Sequence, residues 1–134
     1  MTRVYRLDIA PCPKPRMTQA DKWRKRQSVM KFFAFRDAVR QSKGPFFASP
    51  EGGVHNRVFE FESFEIEFHV PMPKSWSKKK KIEFNGKPHQ QRPDLDNYLK
   101  AWKDSVYEED AVVWRVKASK LWTDGIGHII ISNL

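Results

Sequence analysis

Asp94 and Asp96 stand two residues apart in the stretch Arg92-Pro93-Asp94-Leu95-Asp96-Asn97-Tyr98-Leu99-Lys100. Near the start of a helix, such a pair can converge on one hard divalent cation, which takes oxygen ligands and keeps several waters together with substrate phosphate oxygens. Magnesium is the natural occupant, with manganese as its substitute. The two carboxylates repel each other in the free chain, and a cation between them favours both ionised forms at neutral pH. Lys100 follows Asp96 by four residues on the same helical face. Its ammonium can be aimed at a metal-bound phosphate, where charge develops in the transition state. The same residues also read without chemistry. An Asp after Pro and before an apolar periodic run caps a helix and meets its dipole, and Lys100 beside Asp96 is an ordinary helical ion pair.

The charge balance says what such a site would work on. Lys and Arg total 25 against 16 Asp and Glu, a net charge of +9 on 134 residues. This draws the protein to a polyanion through counterion release, with nucleic acid the leading partner. Solubility or an anionic membrane would explain the excess but not its clustering. Lys74, Lys78, Lys79, Lys80, Lys81, Lys87 and Arg92 lead directly up to the acidic pair. They are placed to contact phosphates beside it, with Trp76 among them able to stack on or wedge between unpaired bases. A solvated charge run is the plain alternative.

Other chemistries find little support. Cys12 is alone, which excludes an internal disulfide and a Cys-based zinc site. His55, His69, His89 and His128 lie in no HExxH or HNH context, and His69 is expected to face solvent from its strand. No acidic-x-Lys triplet of the restriction-nuclease type follows Pro93-Asp94. No apolar run approaches the roughly 20 residues of a membrane span, and Met1-Thr2-Arg3-Val4-Tyr5-Arg6 lacks the hydrophobic stretch of a signal peptide. The expectation is a cytoplasmic protein with no membrane partner.

The elements that must position these residues follow from periodicity. Tyr5, Leu7 and Ile9 alternate with Arg6 and Asp8 as a first strand. Gln19 to Ser42 contains neither Pro nor Gly. It carries Trp23, Val29, Met30, Phe33 and Val39 near helical spacing, which predicts a long helix with a basic face that includes Arg24 and Lys25. Gly44 to Asn56 reads as a loop. Phe64, Ile66, Phe68 and Val70 alternate with Glu65, Glu67 and His69, while Phe59 and Phe61 have opposite parity, which predicts a bulge or turn near Glu62 and Ser63. Prolines and like charges over residues 71–93 predict a mobile basic arm that does not pack, with a turn at Asn85-Gly86. Leu95, Leu99, Trp102 and Val106 predict a second helix to Val106. Val112 to Leu121, alternating through Val112, Trp114, Val116 and Ala118, and His128 to Ser132 predict the last strands.

Asp94-Leu95-Asp96-Asn97, followed by Lys100-Ala101 and Asp104, resembles the signature helix of the RusA family of Holliday junction resolvases. Glu109-Asp110-Ala111-Val112-Val113 resembles that family's second acidic site, and Lys120 falls where the family carries a strand lysine. Pro73 to Lys80 and Lys87-Pro88-His89-Gln90-Gln91 resemble phage-borne members, and the turn Pro13-Lys14-Pro15-Arg16 is also similar. The resemblance implies a magnesium-dependent endonuclease that acts as a homodimer on branched DNA. Asp94, Asp96 and Asp110 would be metal ligands, Lys100 an assisting cation, and Asn97 would orient a carboxylate or touch DNA. Arg16 and Lys120 join the implied DNA contacts. It implies an α+β fold: one small domain over residues 1–134, with a mixed β-sheet of about four strands and two main helices.

One question of geometry stays open at this level. A helix from Asp96 to Val106 is about 15 Å long, and Asp110 follows its far end, whereas a metal site needs its ligands within a few ångströms. Either Tyr107 to Glu109 runs back along the helix, or Asp110 completes the site of a partner subunit. The main competing function is a basic nucleic-acid-binding module whose acids only cap a helix. A structural protein assembling on nucleic acid ranks last.

Overall fold

In the computed structural model, which describes residues 2–16, 26–42, 46–48, 57–107 and 109–134, the chain runs β1 (Val4–Leu7), α1 (Gln27–Gln41), β2 (Phe46–Ala48), β3 (Arg57–Phe59), β4 (Ser63–Pro71), α2 (Lys78–Phe84), α3 (Leu95–Val106), a short 3-10 turn (Asp110–Val112), β5 (Arg115–Thr123) and β6 (His128–Asn133). The four-stranded sheet has the order β1-β6-β4-β5, and β2 and β3 form a separate two-stranded pair. β6 pairs antiparallel with β1 and β4, whereas β4 and β5 are parallel. This is the mixed α+β sheet that the sequence and the family resemblance lead one to expect, with a third helix, α2, added.

Alternation is cleanest in β4. Phe64, Ile66 and Phe68 are buried on the helix-covered face, and Glu65, Glu67 and His69 lie on the other. Ile129 and Ile131 of β6 and Leu7 of β1 extend the apolar face. Against it pack Phe32, Phe35 and Val39 of α1 and Tyr98, Ala101, Trp102 and Val106 of α3. Both helical stripes are rotated slightly from the positions predicted. In α1 Phe32 and Phe35 are buried while Met30 is exposed, and in α3 Leu95 and Leu99 lie at the margin of a stripe centred on Ala101 and Trp102. The two helices pack against each other as well as on strands, so the buried arc lies between the faces that each partner alone would select.

Phe59 is the hub of the aromatic core. Its ring meets Phe61, Phe64, Trp102 and Tyr107 edge to face at centroid distances of 5.3 to 5.5 Å. The opposite parity of Phe59 and Phe61 is resolved as expected by a bend at Glu62, after which β4 begins. The Tyr107 hydroxyl donates to the Phe61 carbonyl, which ties the end of α3 to the entry of β4. Arg40 Nε donates to the Ser105 carbonyl at 2.8 Å, so α1 satisfies an otherwise open carbonyl in the last turn of α3.

Several expectations need correction. The basic stretch does pack: Lys78–Phe84 is helical, opened by Ser77, whose side chain accepts from the Lys80 amide at 3.1 Å. Behind it, Trp76 lies 4.8 Å from Trp122 and 5.5 Å from Phe84 between ring centroids. Residues 86–89 then follow β5 as a strap. Gly86 N donates to the Trp122 carbonyl, Trp122 N to the Lys87 carbonyl and His89 N to the Lys120 carbonyl, at 2.9 to 3.0 Å. The turn at Asn85-Gly86 is as predicted, with Gly86 at φ 81°, a conformation that favours glycine. Val112 and Trp114 are not strand residues: they belong to the turn region before β5, and Trp114 is 70% exposed. Within the expected loop of residues 44–56, residues 46–48 form β2, and the rest lie outside the described residues. The predicted helical stretch from Gln19 to Lys25 also lies outside them. His69 does not stand free in solvent, since its ring stacks on His128 at 4.3 Å.

His89 closes the strap against the sheet. It is only 4% exposed, its ring lies 4.2 Å from that of Trp122, and Nδ1 is buried with no hydrogen-bond partner. Burial, and then the charge of Lys120, lowers its pKa below the usual 6.5. The unfolded chain therefore takes up this proton at a higher pH than the folded one. Folding stability is unaffected by His89 above pH 6.5 and falls as pH drops below it, until the folded histidine itself titrates. Urea unfolding between pH 7.5 and 5 should show that decline in wild type and a flatter profile in His89→Phe; parallel profiles would mean that His89 is not the group responsible. In the same assay Phe59→Ala should lose about 3–5 kcal/mol, the cost of emptying a buried aromatic site, and Phe59→Leu clearly less.

Candidate active site

Asp94 occupies the N-cap of α3, yet its side chain makes no capping bond. The cap is closed by the backbone, the Asp94 carbonyl accepting from Asn97 N at 3.1 Å and Tyr98 N at 3.4 Å. The purely structural explanation of this aspartate, a carboxylate consumed by capping, is therefore not the geometry found. Asp96 lies one residue into the helix and is exposed, as are Asp94 and Asn97. Arg92, Pro93, Asp94 and Asn97 line a cleft of about 390 Å³ at this corner. The N-terminal turn reaches the same place: Lys14 N donates to the Asn97 carbonyl at 3.0 Å. Arg16 is exposed at the end of that turn, and its carbonyl accepts from Arg26 Nη2 at 2.6 Å.

Further along α3 the face opposite the core carries alternating charge. Lys100 Nζ is 2.9 Å from Asp104 Oδ1 and 3.7 Å from Asp110 Oδ2. Lys103 Nζ is also 3.7 Å from Asp110 Oδ2, and Lys14 Nζ is 3.2 Å from Asp104 Oδ2. After the buried Tyr107, Asp110 thus lies beside Lys100 and Lys103 in the middle of its own α3. Glu109 is engaged locally, its carboxylate accepting from Ala111 N at 3.2 Å. The hydrogen bond to Asp104, with added attraction from Asp110, raises the Lys100 pKa above its ordinary 10.5. At neutral pH Lys100 is accordingly a fixed cation and not a proton acceptor.

The predicted site residues are thus partly gathered. Asp110 and Lys100 meet, and Asp94, Asp96 and Asn97 share the first turn of α3. However, among the described residues no group of three or more Asp, Glu, His or Cys side chains is arranged to hold a metal ion. Asp94, Asp96 and Asp110 do not form a closed ligand set. Lys14 and Asp104 were not singled out as site residues from the sequence. The signal available for Asp104 was its spacing of four from Lys100, which links them on one helical face.

Of the implied phosphate contacts, Lys74, Lys78, Lys79, Lys80 and Lys87 are exposed and Lys81 half-buried. Lys80 Nζ sits 4.1 Å over the Trp76 ring, and Lys87 Nζ 5.6 Å from the Phe84 ring centroid. Trp76 itself is packed on Trp122 and Phe84, so it braces α2 where the sequence suggests a free wedge. Arg92 is exposed at the cleft. Lys120 differs from the others: its ammonium donates to the carbonyls of Gln91 and Pro93 at 2.5 and 2.7 Å.

The uncharacterized protein YqaN of Bacillus subtilis (strain 168) is 36% identical over 70 residues, 46% of this chain and 49% of that protein. The chain therefore spans about half the length of the curated relative that it matches. Residues 54–132 match the family described as Endodeoxyribonuclease RusA. That stretch takes in β4, the basic helix, the acidic start of α3, Asp110 and Lys120, and the chain belongs to the RusA family.

Proposed function

We propose that this protein is a divalent-cation-dependent endodeoxyribonuclease that resolves four-way DNA junctions, hydrolysing phosphodiester bonds as paired nicks in opposed strands. The observation that carries this reading is the start of α3, where Asp94 and Asp96 are both exposed and Asp94 is not consumed as a side-chain cap. Membership in a family described as endodeoxyribonucleases supports it. So does the surplus of positive charge leading up to the acids.

The donor chemistry fits a hard cation. Magnesium is commonly held by one or two carboxylates with water and substrate phosphate as the remaining ligands. Asp94 and Asp96 would hold Mg²⁺, or Mn²⁺ in its place, and Asp110 would join them when Lys100 and Lys103 turn from it toward phosphate. When bound, the cation supplies activated water and neutralises charge on the scissile phosphate. Lys100, permanently protonated, stabilises charge on the same phosphate. Asn97 orients a carboxylate or contacts DNA at the cleft. Lys74, Lys78, Lys79, Lys80, Lys81, Lys87, Arg92 and Arg16 hold the arms through phosphates. Cutting two opposed strands calls for two identical sites, which a two-fold homodimer supplies. The setting is DNA recombination, repair or phage DNA processing in the cytoplasm. No helix among the described residues is long and apolar enough to cross a membrane.

A second reading, a basic binding module without cleavage, is favoured by one observation, the lack of a three-ligand cluster among the described residues. A labelled four-way junction and a matched linear duplex, with magnesium or EDTA, separate the two. Symmetric nicking of the junction alone, dependent on magnesium and reduced at least about 100-fold in D94N and K100M, is expected. Tight binding with no cleavage under any divalent cation, and tighter still in D94N, would establish the binder instead. The double variant K78A/K79A should lower the slope of log affinity against log salt by about two, one for each phosphate that no longer meets a lysine.

A further inference from the structure

We infer that Lys120 is a positioning residue of this site, clamping the peptide that carries Asp94, and not a phosphate contact. The inference rests on the nuclease reading for its function but on geometry for its substance. Lys120 Nζ donates to the Gln91 carbonyl at 2.5 Å and to the Pro93 carbonyl at 2.7 Å. An ammonium has three donors in all, so most of its capacity is turned inward, and the residue is only partly exposed. The Pro93 carbonyl belongs to the same planar peptide unit as the Asp94 amide. Holding that oxygen fixes the plane from which the Asp94 Cα projects, leaving only rotations at Asp94 itself to place its carboxylate.

Among the described residues, no other side chain donates to a carbonyl of this segment. Gln90, Gln91 and Arg92 are all exposed, so no buried side chain in that run fastens it. Lys120 also holds the strap upstream through its own carbonyl, which accepts from His89 N at 3.0 Å. One residue of β5 therefore grips the connection at both ends, at His89 and at Pro93. Catalytic geometry tolerates errors of only about half an ångström, and a loop of three exposed polar residues does not hold that tolerance unaided.

The test uses the full chain as K120M, K120R and K120Q beside wild type. Amide hydrogen exchange at Asn97 and Tyr98, whose N–H groups are bonded to the Asp94 carbonyl, is read on the protein alone. Exchange should quicken about tenfold or more in K120M, recover in part in K120R, and stay at the wild-type rate in β4 and β6. On a four-way junction, kcat should fall while KM and the salt slope of binding stay as in wild type. Wild-type exchange at Asn97 and Tyr98, together with a salt slope reduced by about one, would overturn the inference and make Lys120 a phosphate contact. If K120M loses protection in the sheet, K120Q carries the comparison, since its carboxamide still donates but bears no charge. If wild type does not cut the junction at all, the nuclease reading fails, while the exchange measurement still decides whether Lys120 holds the Asp94 peptide.

Discussion

The parallel pairing of β4 with β5 is the constraint on which the rest depends. Parallel strands cannot be joined by a tight turn; the chain must return from one end of the sheet to the other before pairing again. Here that return occupies residues 72–114, between Pro71 and Arg115. It contains α2, the strap, the acidic start of α3, Lys100 and Asp110. The candidate site is thus built almost wholly in one crossover, whose two ends are fixed by the register of a single strand pair. The exceptions are Lys120 of β5 and the N-terminal turn, which enters through Lys14, bonded to both the first turn of α3 and Asp104.

Within the crossover, two kinds of interaction divide the work. Position is set by buried or backbone contacts: Phe59 and Trp102 in the core, the backbone bonds of residues 86–89 to β5, and the Tyr107 hydroxyl on Phe61. Charge is handled at the surface, where Lys14, Lys100 and Lys103 are shared between Asp104 and Asp110. Partly exposed pairs of this kind are worth no more than about 1 kcal/mol each. At that strength they bring Lys100 beside the acids without locking it there. The rigid scaffold and the yielding charges are therefore different residues on the same helix.

The packing of the basic segment shows where local reasoning stops. Prolines and a run of lysines predict a solvated arm, and by net charge alone that is sound. What reverses it is Trp76, Phe84 and Trp122, residues from three places in the chain that meet only after the strap has paired with β5. Their apolar contact, with Lys80 lying over the Trp76 ring, offsets the repulsion among neighbouring lysines. The rotation of the buried stripe in α3 has a similar origin. Spacing identifies an amphipathic helix, but which arc is buried depends on α1 and β3 as well as on the sheet.

By itself the sequence determined the elements whose patterns are local: the alternation of β4, the amphipathic α3 ending at Val106, the Asn85-Gly86 turn, and the spacing that sets Lys100 four residues after Asp96 along α3. These follow from periodicities of two and 3.6 residues and from the conformational preferences of Pro and Gly, which act within a few positions. Only the tertiary structure decided that Asp110 lies beside Lys100 in its own chain and that Lys120 faces the carbonyls of Gln91 and Pro93. Each of these depends on a contact between residues distant in sequence, set by strand pairing and by the burial of Tyr107 and the aromatic core, and no local pattern encodes a partner that lies so far along the chain.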